Sequence, residues 1–310
     1  MRIIKYTVYI SNVMETFPIQ LNYLKDVNHH EKDDYITFTE LNHNYTIGDG
    51  KTKFISTTTF IHTLFSPFDA DTVITNMMNS KKWPSSKYYG MTREEIKRKW
   101  SNKARQSSME GTGLHQYVEL FMNQCSTPPL LPGNSHTHRE LLEMYKNENR
   151  EQFSEIYNTP EWSHFLQFVA NYPNLKPYRT EWMIYDEECK IAGSIDMVYM
   201  NEDGTLSIYD WKRCLTIEKT SGWNKYGIEE CVNHLPDTNF WHYSLQLNIY
   251  KRILEKNYGM NISQLFLVKL HPDNKSGSFE LIKLPFLRDE VSSLFEILKL
   301  RPIFEKRLKD

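Results

Sequence analysis

A carboxylate and an ammonium stand two residues apart in Asp210-Trp211-Lys212. Side chains two apart on a strand point to the same face, so Asp210 and Lys212 would project together from a predicted strand over 205–212. The carboxylate can hold a hard cation, and the ammonium can position water or stabilise charge that develops on phosphorus. The pattern is suited to cleavage of a phosphodiester bond, although the same tripeptide often forms a plain surface ion pair.

Asp196 lies in an apolar segment, 191–198, where an unpaired carboxylate would be costly to bury. Arginine or backbone donors could satisfy it, or it could share a cation with Asp210. A two-residue turn at Asp203-Gly204 would place the two aspartates on opposite faces of the sheet. A three-residue loop with Gly204 in the left-handed conformation pairs position 196 with 210. We predict the three-residue loop, which lets both carboxylates hold one metal ion.

A histidine on a predicted helix could add a nitrogen ligand to these carboxylates. Gly111-Thr112-Gly113 is predicted to precede a helix over 113–124, with His115 in its first turn and Glu119 on the same face. The glycines would let a phosphate approach the exposed amides of the helix start. A lone helical histidine is more often a surface or core residue, but histidine with carboxylates is a plausible ligand set for Mn²⁺ or Mg²⁺.

Two further elements carry candidate residues. Glu181 lies in a strand predicted over 178–186, where a surface position is the alternative interpretation. Gln246 and Tyr250 are four residues apart in a helix predicted over 240–257, so they share one helix face. By spacing alone this segment is an ordinary amphipathic helix.

The elements that must position these residues follow from capping patterns and periodicity. Residues 36–62 predict two strands around Gly48-Asp49-Gly50, which run into a short helix that follows Thr57-Thr58-Thr59. Further helices are predicted at 70–80 behind Asp69, at 92–106 behind Thr92 and Glu95, at 160–172 behind Thr159, and at 287–299. Further strands are predicted at 189–200, 265–271 and 278–284.

This order of elements predicts an α/β (α+β) fold with a mixed central sheet flanked by helices. We expect residues 1–106 to form a cap of strands and helices over the site, and residues 107–310 to form the core with C-terminal additions. The two parts are expected to make one compact unit.

Bulk composition excludes several classes of protein. The chain has 310 residues, of which 40% are hydrophobic and 25% charged, as in ordinary globular proteins. Its four cysteines include no Cys-x-x-Cys pair, which argues against a zinc site or a disulfide framework and indicates a reducing compartment. No apolar run could span a bilayer and no signal peptide is evident, so we expect a soluble intracellular protein without a membrane partner. The cytoplasm, nucleus, mitochondrion and an infected host cell are not distinguished.

Positive charge is concentrated in one segment. Residues 81–105 hold nine Lys or Arg against two Glu, in a chain whose net charge is −2. Mixed basic and aromatic residues suit single-stranded nucleic acid, where charge follows the backbone and rings stack on bases, although a solvated helix face is the alternative. The candidate contacts here are Tyr89, Lys97, Trp100, Lys103 and Arg105, with Trp223 in a later polar loop.

Taken in order, these motifs resemble the RecB-like branch of the PD-(D/E)XK nuclease superfamily, nearest to the mitochondrial genome maintenance exonuclease type and to viral exonucleases. The pattern matched is Gly-x-x-x-His, a strand Glu, Gly-x-x-Asp, Asp-x-Lys and Gln-x-x-x-Tyr. It is present as GTGLH (111–115), Glu181, GSID (193–196), DWK (210–212) and QLNIY (246–250). The match covers about residues 107–271.

The resemblance implies a PD-(D/E)XK, restriction-endonuclease-like core and a Mg²⁺- or Mn²⁺-dependent deoxyribonuclease. His115, Asp196, Asp210 and the backbone carbonyl of Trp211 would bind the metal, and Lys212 would position or activate the attacking water. Glu181 would bind a second metal or hold a water, while Gln246 and Tyr250 would support the site or contact the strand that is cut. Gly111 and Thr112 would approach the phosphate backbone.

The resemblance also implies a DNA partner, as single strands or strand ends, and a role beside replication, recombination or DNA repair proteins. Some relatives bind an iron–sulfur cluster through downstream cysteines, but no cysteine follows Cys231, so no cluster is expected. No Walker-type motif is present, so no nucleotide cofactor is expected. An RNA endonuclease of the cap-snatching kind and a non-catalytic nucleic-acid-binding module remain alternatives.

Overall fold

A computed structural model describes residues 22–39, 44–124, 135–222 and 224–307 of the chain. A six-stranded mixed sheet lies at its centre, which confirms the mixed sheet predicted from sequence. Its strands are β3 (Ile55–Ser56), β4 (Lys176–Asp186), β5 (Ile191–Met200), β6 (Leu206–Lys212), β7 (Ile262–Lys269) and β8 (Glu280–Lys283). A second, two-stranded antiparallel sheet pairs β1 (Ile36–Thr39) with β2 (Asn44–Ile47).

Helices flank both faces of the central sheet. One core lies between the sheet and α2 (Thr57–Thr63), α7 (Asn239–Asn257) and α8 (Arg288–Arg307). The other lies between the sheet and α1 (Tyr23–Val27), α4 (Arg93–Met122), α5 (His138–Met144) and α6 (Pro160–Asn171). Because alternate strand residues point to opposite faces, Val198 and Ile208 enter the first core while Met197 and Tyr209 enter the second.

One edge of the strand β5 is shared by two partner strands, β3 and β6. Its other edge pairs with β4 from Ile191 to Met200. On the divided edge, Ile191 and Ala192 pair with β3, whereas residues 197–200 pair with β6. Among the residues described, positions 193–196 therefore have no ladder partner on that edge. This break in the sheet coincides with the Gly-x-x-Asp motif.

Most predicted elements are confirmed within a few residues. Asp69 caps α3 (Ala70–Met78) by accepting bonds from the amides of Asp71 and Thr72. Thr92 and Glu95 form the expected reciprocal cap at the start of α4, and Pro160 occupies the first turn of α6. These caps satisfy backbone amides that have no partner inside a helix.

The break predicted between two helices at Gly111-Thr112-Gly113 is wrong. α4 runs without interruption from Arg93 to Met122, and neither Gly111 nor Gly113 adopts a positive φ. Glycine inside a helix costs about 1 kcal/mol relative to alanine, which is not enough to end a helix held at both ends. Here the cap holds one end, and buried Leu114 and Val118 hold the other.

The predicted placement of the first two strands also needs correction. Two strands around the Gly48-Asp49-Gly50 turn were predicted, but three are found: β1 and β2 precede the turn and pair with each other, and β3 follows it. The turn leads from β2 into an extended stretch that makes one isolated bridge, Thr46 with Lys53. Gly48 and Gly50 both have positive φ, so the turn itself forms where glycine allows it.

Within the described ranges, no helix combines the length and the apolar character needed to cross a bilayer.

Candidate metal centre

Three ionisable side chains from different elements converge beside the break in β5. His115 of α4, Glu181 of β4 and Asp196 of β5 each offer a ligand atom, and these atoms lie within 4.8 Å of one another. The Nδ1 atom of His115 is 3.6 Å from Asp196 Oδ2 and 3.8 Å from Glu181 Oε1. A nitrogen with several carboxylate oxygens is a ligand set that suits Mn²⁺ or Mg²⁺.

A backbone contact orients the imidazole toward the carboxylates. His115 Nε2 lies 3.0 Å from the carbonyl oxygen of Trp211. Because a carbonyl only accepts, Nε2 carries the proton and Nδ1 presents its lone pair toward Glu181 and Asp196 in the neutral ring. Such an outer contact fixes the tautomer of a metal-binding histidine. The carbonyl of Trp211, predicted as a metal ligand, accepts a hydrogen bond from His115 Nε2 in this structure.

The register between β5 and β6 is the one predicted from the loop. Met197 pairs with Tyr209 and Met200 with Leu206, so the same register sets Asp196 opposite Asp210. Gly204 has a φ of 79°, and its amide bonds to the carbonyl of Asn201 in a three-residue loop. The strands part at the last step, where Asp196 Oδ2 accepts a bond of 3.0 Å from the amide of Trp211.

Asp210 and Lys212 form an ion pair next to the three converging side chains. Lys212 Nζ is 2.6 Å from Asp210 Oδ2, and Asp210 is only 2% exposed. The ammonium also lies 4.5 Å from the centre of the Tyr243 ring on α7. Asp210 is thus held by lysine and does not belong to the group of three whose ligand atoms converge. The structure places it beside that group through the strand register.

Burial and crowding of carboxylates shift the pKa values of the cluster. Burial and the neighbouring Asp196 raise the pKa of Asp210 to about 7, against the opposing pull of Lys212. Burial alone would lower the pKa of His115, but Asp196 and Glu181 outweigh it and raise that pKa to about 9. Burial lowers and Asp210 raises the pKa of Lys212, with a net increase. An excess of buried negative charge is the condition that a bound divalent cation would relieve.

Glu181 occupies a conformation that strands rarely allow. Its φ is 43°, in the left-handed region, and it is skipped in the pairing of β4 with β5, which also skips Tyr178 at a bulge nearer the start of β4. A non-glycine residue in that region costs about 1 to 3 kcal/mol, so surrounding structure must hold it there. The distortion turns its carboxylate toward Ser194, whose hydroxyl donates a bond of 3.2 Å to Glu181 Oε2.

The Gly-x-x-Asp motif of β5 and the Gln-x-x-x-Tyr motif of α7 contact each other. The ring of Tyr250 lies directly over Gly193, where any Cβ atom would overlap it. Gln246 Nε2 donates a bond of 3.1 Å to the Tyr250 hydroxyl. Gln246 and Tyr250 therefore support the strand that carries Asp196, and glycine is required at 193 for this close approach.

Two residues near the cluster were not selected from sequence. Burial and the nearby Glu181 raise the pKa of Glu119, one helical turn after His115, to about 8. The phenol of Tyr45 on β2 lies near the same carboxylates. Burial first, and then Glu181 and Asp196, raise the pKa of Tyr45. For Glu119, the sequence predicts only that it shares a helix face with His115. No sequence signal points to Tyr45, because its proximity depends on how β2 packs against the sheet.

The predicted nucleic-acid contacts occupy different settings. Lys97 pairs with Asp71 at 2.6 Å, and Trp100 Nε1 donates to the Tyr88 hydroxyl at 2.9 Å, so both have partners inside the protein. Tyr89, Lys103 and Arg105 are exposed. Gly111 and Thr112 lie inside α4 and offer no free amides, which corrects the helix start predicted there. Trp223 lies outside the described residues.

Metal affinity should rise steeply with pH because His115 holds a proton in the metal-free protein. A cation must displace that proton, whose pKa is about 9. Affinity for Mn²⁺ is therefore expected to rise by about tenfold per pH unit between pH 6.5 and 8.5, while the site is still protonated. Titration calorimetry at several pH values in buffers of different ionisation heat would measure both affinity and released protons.

The His115→Gln variant is the control for this pH dependence. It removes the titrating imidazole but keeps Asp196 and Glu181, so its weaker Mn²⁺ affinity should vary less with pH over the same range. Equal pH slopes in the two proteins would contradict the assignment of the displaced proton to His115.

Comparison with known proteins adds little to this geometry. No protein-family model matches the chain, and no curated protein matches it. Among solved structures, the one described as "Crystal structure of SSO0001" is 15% identical with a TM-score of 0.26, and the match covers 54% of this chain and 72% of that one. A TM-score this low does not establish a shared fold.

Proposed function

We propose that this chain is a Mg²⁺- or Mn²⁺-dependent nuclease that hydrolyses phosphodiester bonds in DNA, on single strands or at strand ends. One observation carries the proposal: His115, Glu181 and Asp196 converge within 4.8 Å at an unpaired stretch of sheet edge. The Asp210–Lys212 ion pair adjoins them. Acidic ligands beside a fixed ammonium provide the charges that phosphoryl transfer needs.

A PD-(D/E)XK core is part of the proposal. The helix α4, the antiparallel strands β4, β5 and β6, the helix α7 and the parallel strand β7 follow one another in the chain. The five motifs lie on these elements in the order that the resemblance requires. The preference for DNA over RNA rests on that resemblance, since no side chain in the cluster distinguishes the two.

The ligand chemistry fits a hard divalent cation. His115, Asp196 and Glu181 would hold it, with Asp210 adjacent. When bound, such an ion neutralises charge on the phosphate and lowers the pKa of water. The burial of Asp210 beside Asp196 supports this assignment, because burial and the neighbouring carboxylate raise the pKa of Asp210 even with Lys212 next to it.

Lys212 is proposed to act as a fixed positive charge and hydrogen-bond donor. The carboxylates of Asp210 and Asp196 raise its pKa against the effect of burial, so the amine stays protonated at neutral pH. A protonated amine cannot take a proton from water. It can hold an attacking water through that water's oxygen and stabilise the charge that develops on phosphate oxygens. Tyr243 restricts the ammonium from the side of α7.

Metal dependence is the direct test of this function. The protein would be incubated with end-labelled single-stranded DNA, duplex DNA and RNA of one sequence, each with Mg²⁺, Mn²⁺ or EDTA. Loss of single-stranded DNA is expected with either metal, with activity reduced to background by EDTA and restored by excess Mn²⁺. The product ladder would show whether cleavage begins at ends.

Other outcomes separate the alternatives. Internal cleavage of RNA with DNA left intact would favour the cap-snatching type of endonuclease. Binding of nucleic acid without hydrolysis under any metal would favour a non-catalytic module and contradict the proposal.

A further inference from the structure

On the basis of the proposed nuclease function, we propose that the α4 arm, residues 81–110, binds single-stranded DNA and leads it to the metal centre. The first observation is the exposure of this helix. α4 has 30 residues, and only its ends are anchored in packed regions. Ile96 is buried near the start, and Leu114 and Val118 are buried near the end. From 101 to 110 every residue but Ser107 is exposed.

A helix exposed on nearly all sides is unusual in a globular protein, because most helices bury one apolar face. A helix that is polar all round bridges two packed regions through solvent, and it leaves its surface free for a ligand. At the far end, a small aromatic cluster fixes the arm. Trp100 packs against Phe68 at 6.0 Å and bonds to Tyr88, and Trp83 packs against Tyr89 at 5.9 Å. The α4 arm is therefore anchored at both ends, while its middle part is exposed to solvent.

Uncompensated positive charge is the second observation. Of the nine basic residues in 81–105, Lys97 pairs with Asp71, and Arg93 donates to Thr75 on α3. Across the part of the chain that the structure describes, the other seven are exposed and none has a carboxylate within 4.0 Å. They are Lys81, Lys82, Lys87, Arg98, Lys99, Lys103 and Arg105.

The charge complements a phosphate backbone. The chain as a whole carries a net charge of −2, so these cations are segregated and not simply part of a basic protein. A basic stripe on an otherwise acidic surface is the electrostatic footprint of a polyanion. Arg98 and Arg105 are seven residues apart, about two helical turns, and so lie on one side of α4.

The exposed rings favour a single strand over a duplex. Tyr89 is 60% exposed and Phe68 is 70% exposed beside the basic residues. Aromatic rings stack on bases only when those bases are unpaired, and cations interleaved with rings are typical of single-strand surfaces. A duplex would contact the cations but offer the exposed faces of these rings no unpaired base to stack on.

The helix connects this surface to the metal centre in a single element. Arg105 lies ten residues before His115, which is about 15 Å along the helix axis. Arg98 lies seventeen residues before His115, which is about 25 Å. At about 3.4 Å per nucleotide in a stacked strand, the distance spans roughly four to seven nucleotides. We therefore expect strands shorter than this span to lose contact with the arm when one end occupies the metal centre.

Equilibrium binding without metal tests the arm independently of turnover. Fluorescence anisotropy in EDTA would compare the wild type with a variant combining Arg98→Gln, Lys103→Gln and Arg105→Gln, using a labelled 12-nucleotide strand. Binding of single strands weakens with salt with a slope of about 0.7 per phosphate neutralised, so losing three contacts should lower the slope by about 2. Affinity at low salt should fall at least tenfold.

A matched variant controls for the loss of three charges. Arg139→Gln, Lys176→Gln and Lys283→Gln remove exposed cations on α5, β4 and β8, outside the α4 arm, and should preserve both affinity and slope. A second probe is Tyr89→Ala, which should weaken binding of the single strand more than of a duplex of equal length. It does not alter charge, but it also removes the packing of Tyr89 against Trp83, so the difference between single strand and duplex reports stacking and the loss of affinity by itself does not.

Two results would overturn the inference. Unchanged affinity and salt slope in the arm variant would show that strands bind elsewhere. Equal effects of Tyr89→Ala on single strands and duplex, with duplex bound as tightly, would contradict selection of single strands. Arm-dependent binding in a protein that hydrolyses nothing would support the arm and contradict the nuclease, so the two proposals fail separately.

Discussion

The Lys212→Ala variant is expected to hydrolyse single-stranded DNA about 10³-fold more slowly than the wild type, since removing one fixed donor at a reacting centre commonly costs about 10² to 10³ in rate. The ammonium lies 2.6 Å from Asp210 and is confined by the Tyr243 ring, so its position is set before substrate arrives. Single-turnover rates with excess enzyme and saturating Mn²⁺ would measure the loss.

The Lys269→Ala variant is a matched control for Lys212→Ala. Lys269 pairs directly with Lys212 across β6 and β7, and its own amine contacts Glu280 at 2.9 Å. It is therefore another largely buried lysine at the same end of the sheet, but within the described ranges it faces no group of acidic ligands. Hydrolysis by this variant should stay within a few fold of the wild type. If Lys212→Ala also stays within tenfold, Lys212 does not act on the phosphate.

Lys212→Arg separates charge from geometry at this position. Arginine preserves the positive charge but presents a planar group that is larger and directs its donors differently. If placement of a single compact ammonium matters, Lys212→Arg should be nearly as slow as Lys212→Ala. Unchanged thermal unfolding and Mn²⁺ binding in the three variants would show that differences in rate come from the reacting centre.

Local signals in the sequence predicted the part of the site built by neighbouring strands. Gly204 in a short loop fixes the register of β5 with β6, and that register sets Asp196 opposite Asp210. A one-residue slip would have moved one carboxylate to the other face, because side chains alternate along a strand. The sequence allowed two turns here, and the three-residue loop that we predicted, because it sets both aspartates on one face, is the one observed. The loop does not predict that Glu181 is the carboxylate that converges with Asp196.

Sequence patterns failed where packing outweighs local preference. Gly111 and Gly113 suggested a helix boundary, but α4 continues through them because its two ends are anchored. Glu181 has an unusual φ of 43°, and no residue type near it signals the distortion. Tyr45 reaches the cluster from β2, more than 130 positions before Glu181 in the chain, so only tertiary structure reveals it.

The attachment of the N-terminal segment to the core was also beyond sequence patterns. Asp33 lies in a short 3₁₀ helix, Glu31–Asp34, and accepts a bond of 2.6 Å from Arg179 and one of 2.9 Å from the Trp182 indole. Arg179 also donates to the backbone carbonyl of Asn28. Arg179 and Trp182 both lie on β4 and are almost fully buried. Nothing in the spacing of Asp33 and Arg179 predicts that they meet.

The Asp33→Ala variant is expected to lose about 3 to 5 kcal/mol of unfolding free energy, because it leaves the guanidinium of Arg179 buried without its counterion. The indole of Trp182 loses its acceptor as well, and an unpaired buried donor adds to the cost. Urea unfolding followed by tryptophan fluorescence would measure the change. The neighbouring Asp34→Ala is the control, since Asp34 is exposed and its removal should change stability by less than about 1 kcal/mol.

Combining Asp33→Ala with Arg179→Met distinguishes a stranded charge from lost packing. If most of the cost comes from an unpaired buried guanidinium, the double variant should be more stable than Asp33→Ala, because methionine fills similar volume without charge. If the double variant is less stable by the sum of the two single changes, Arg179 stabilises mainly through its stacking on Trp182, which lies 4.6 Å away. Trp182 and Glu181 are adjacent on β4, so either result describes how the strand from which Glu181 reaches the candidate metal centre is held to the N-terminal segment.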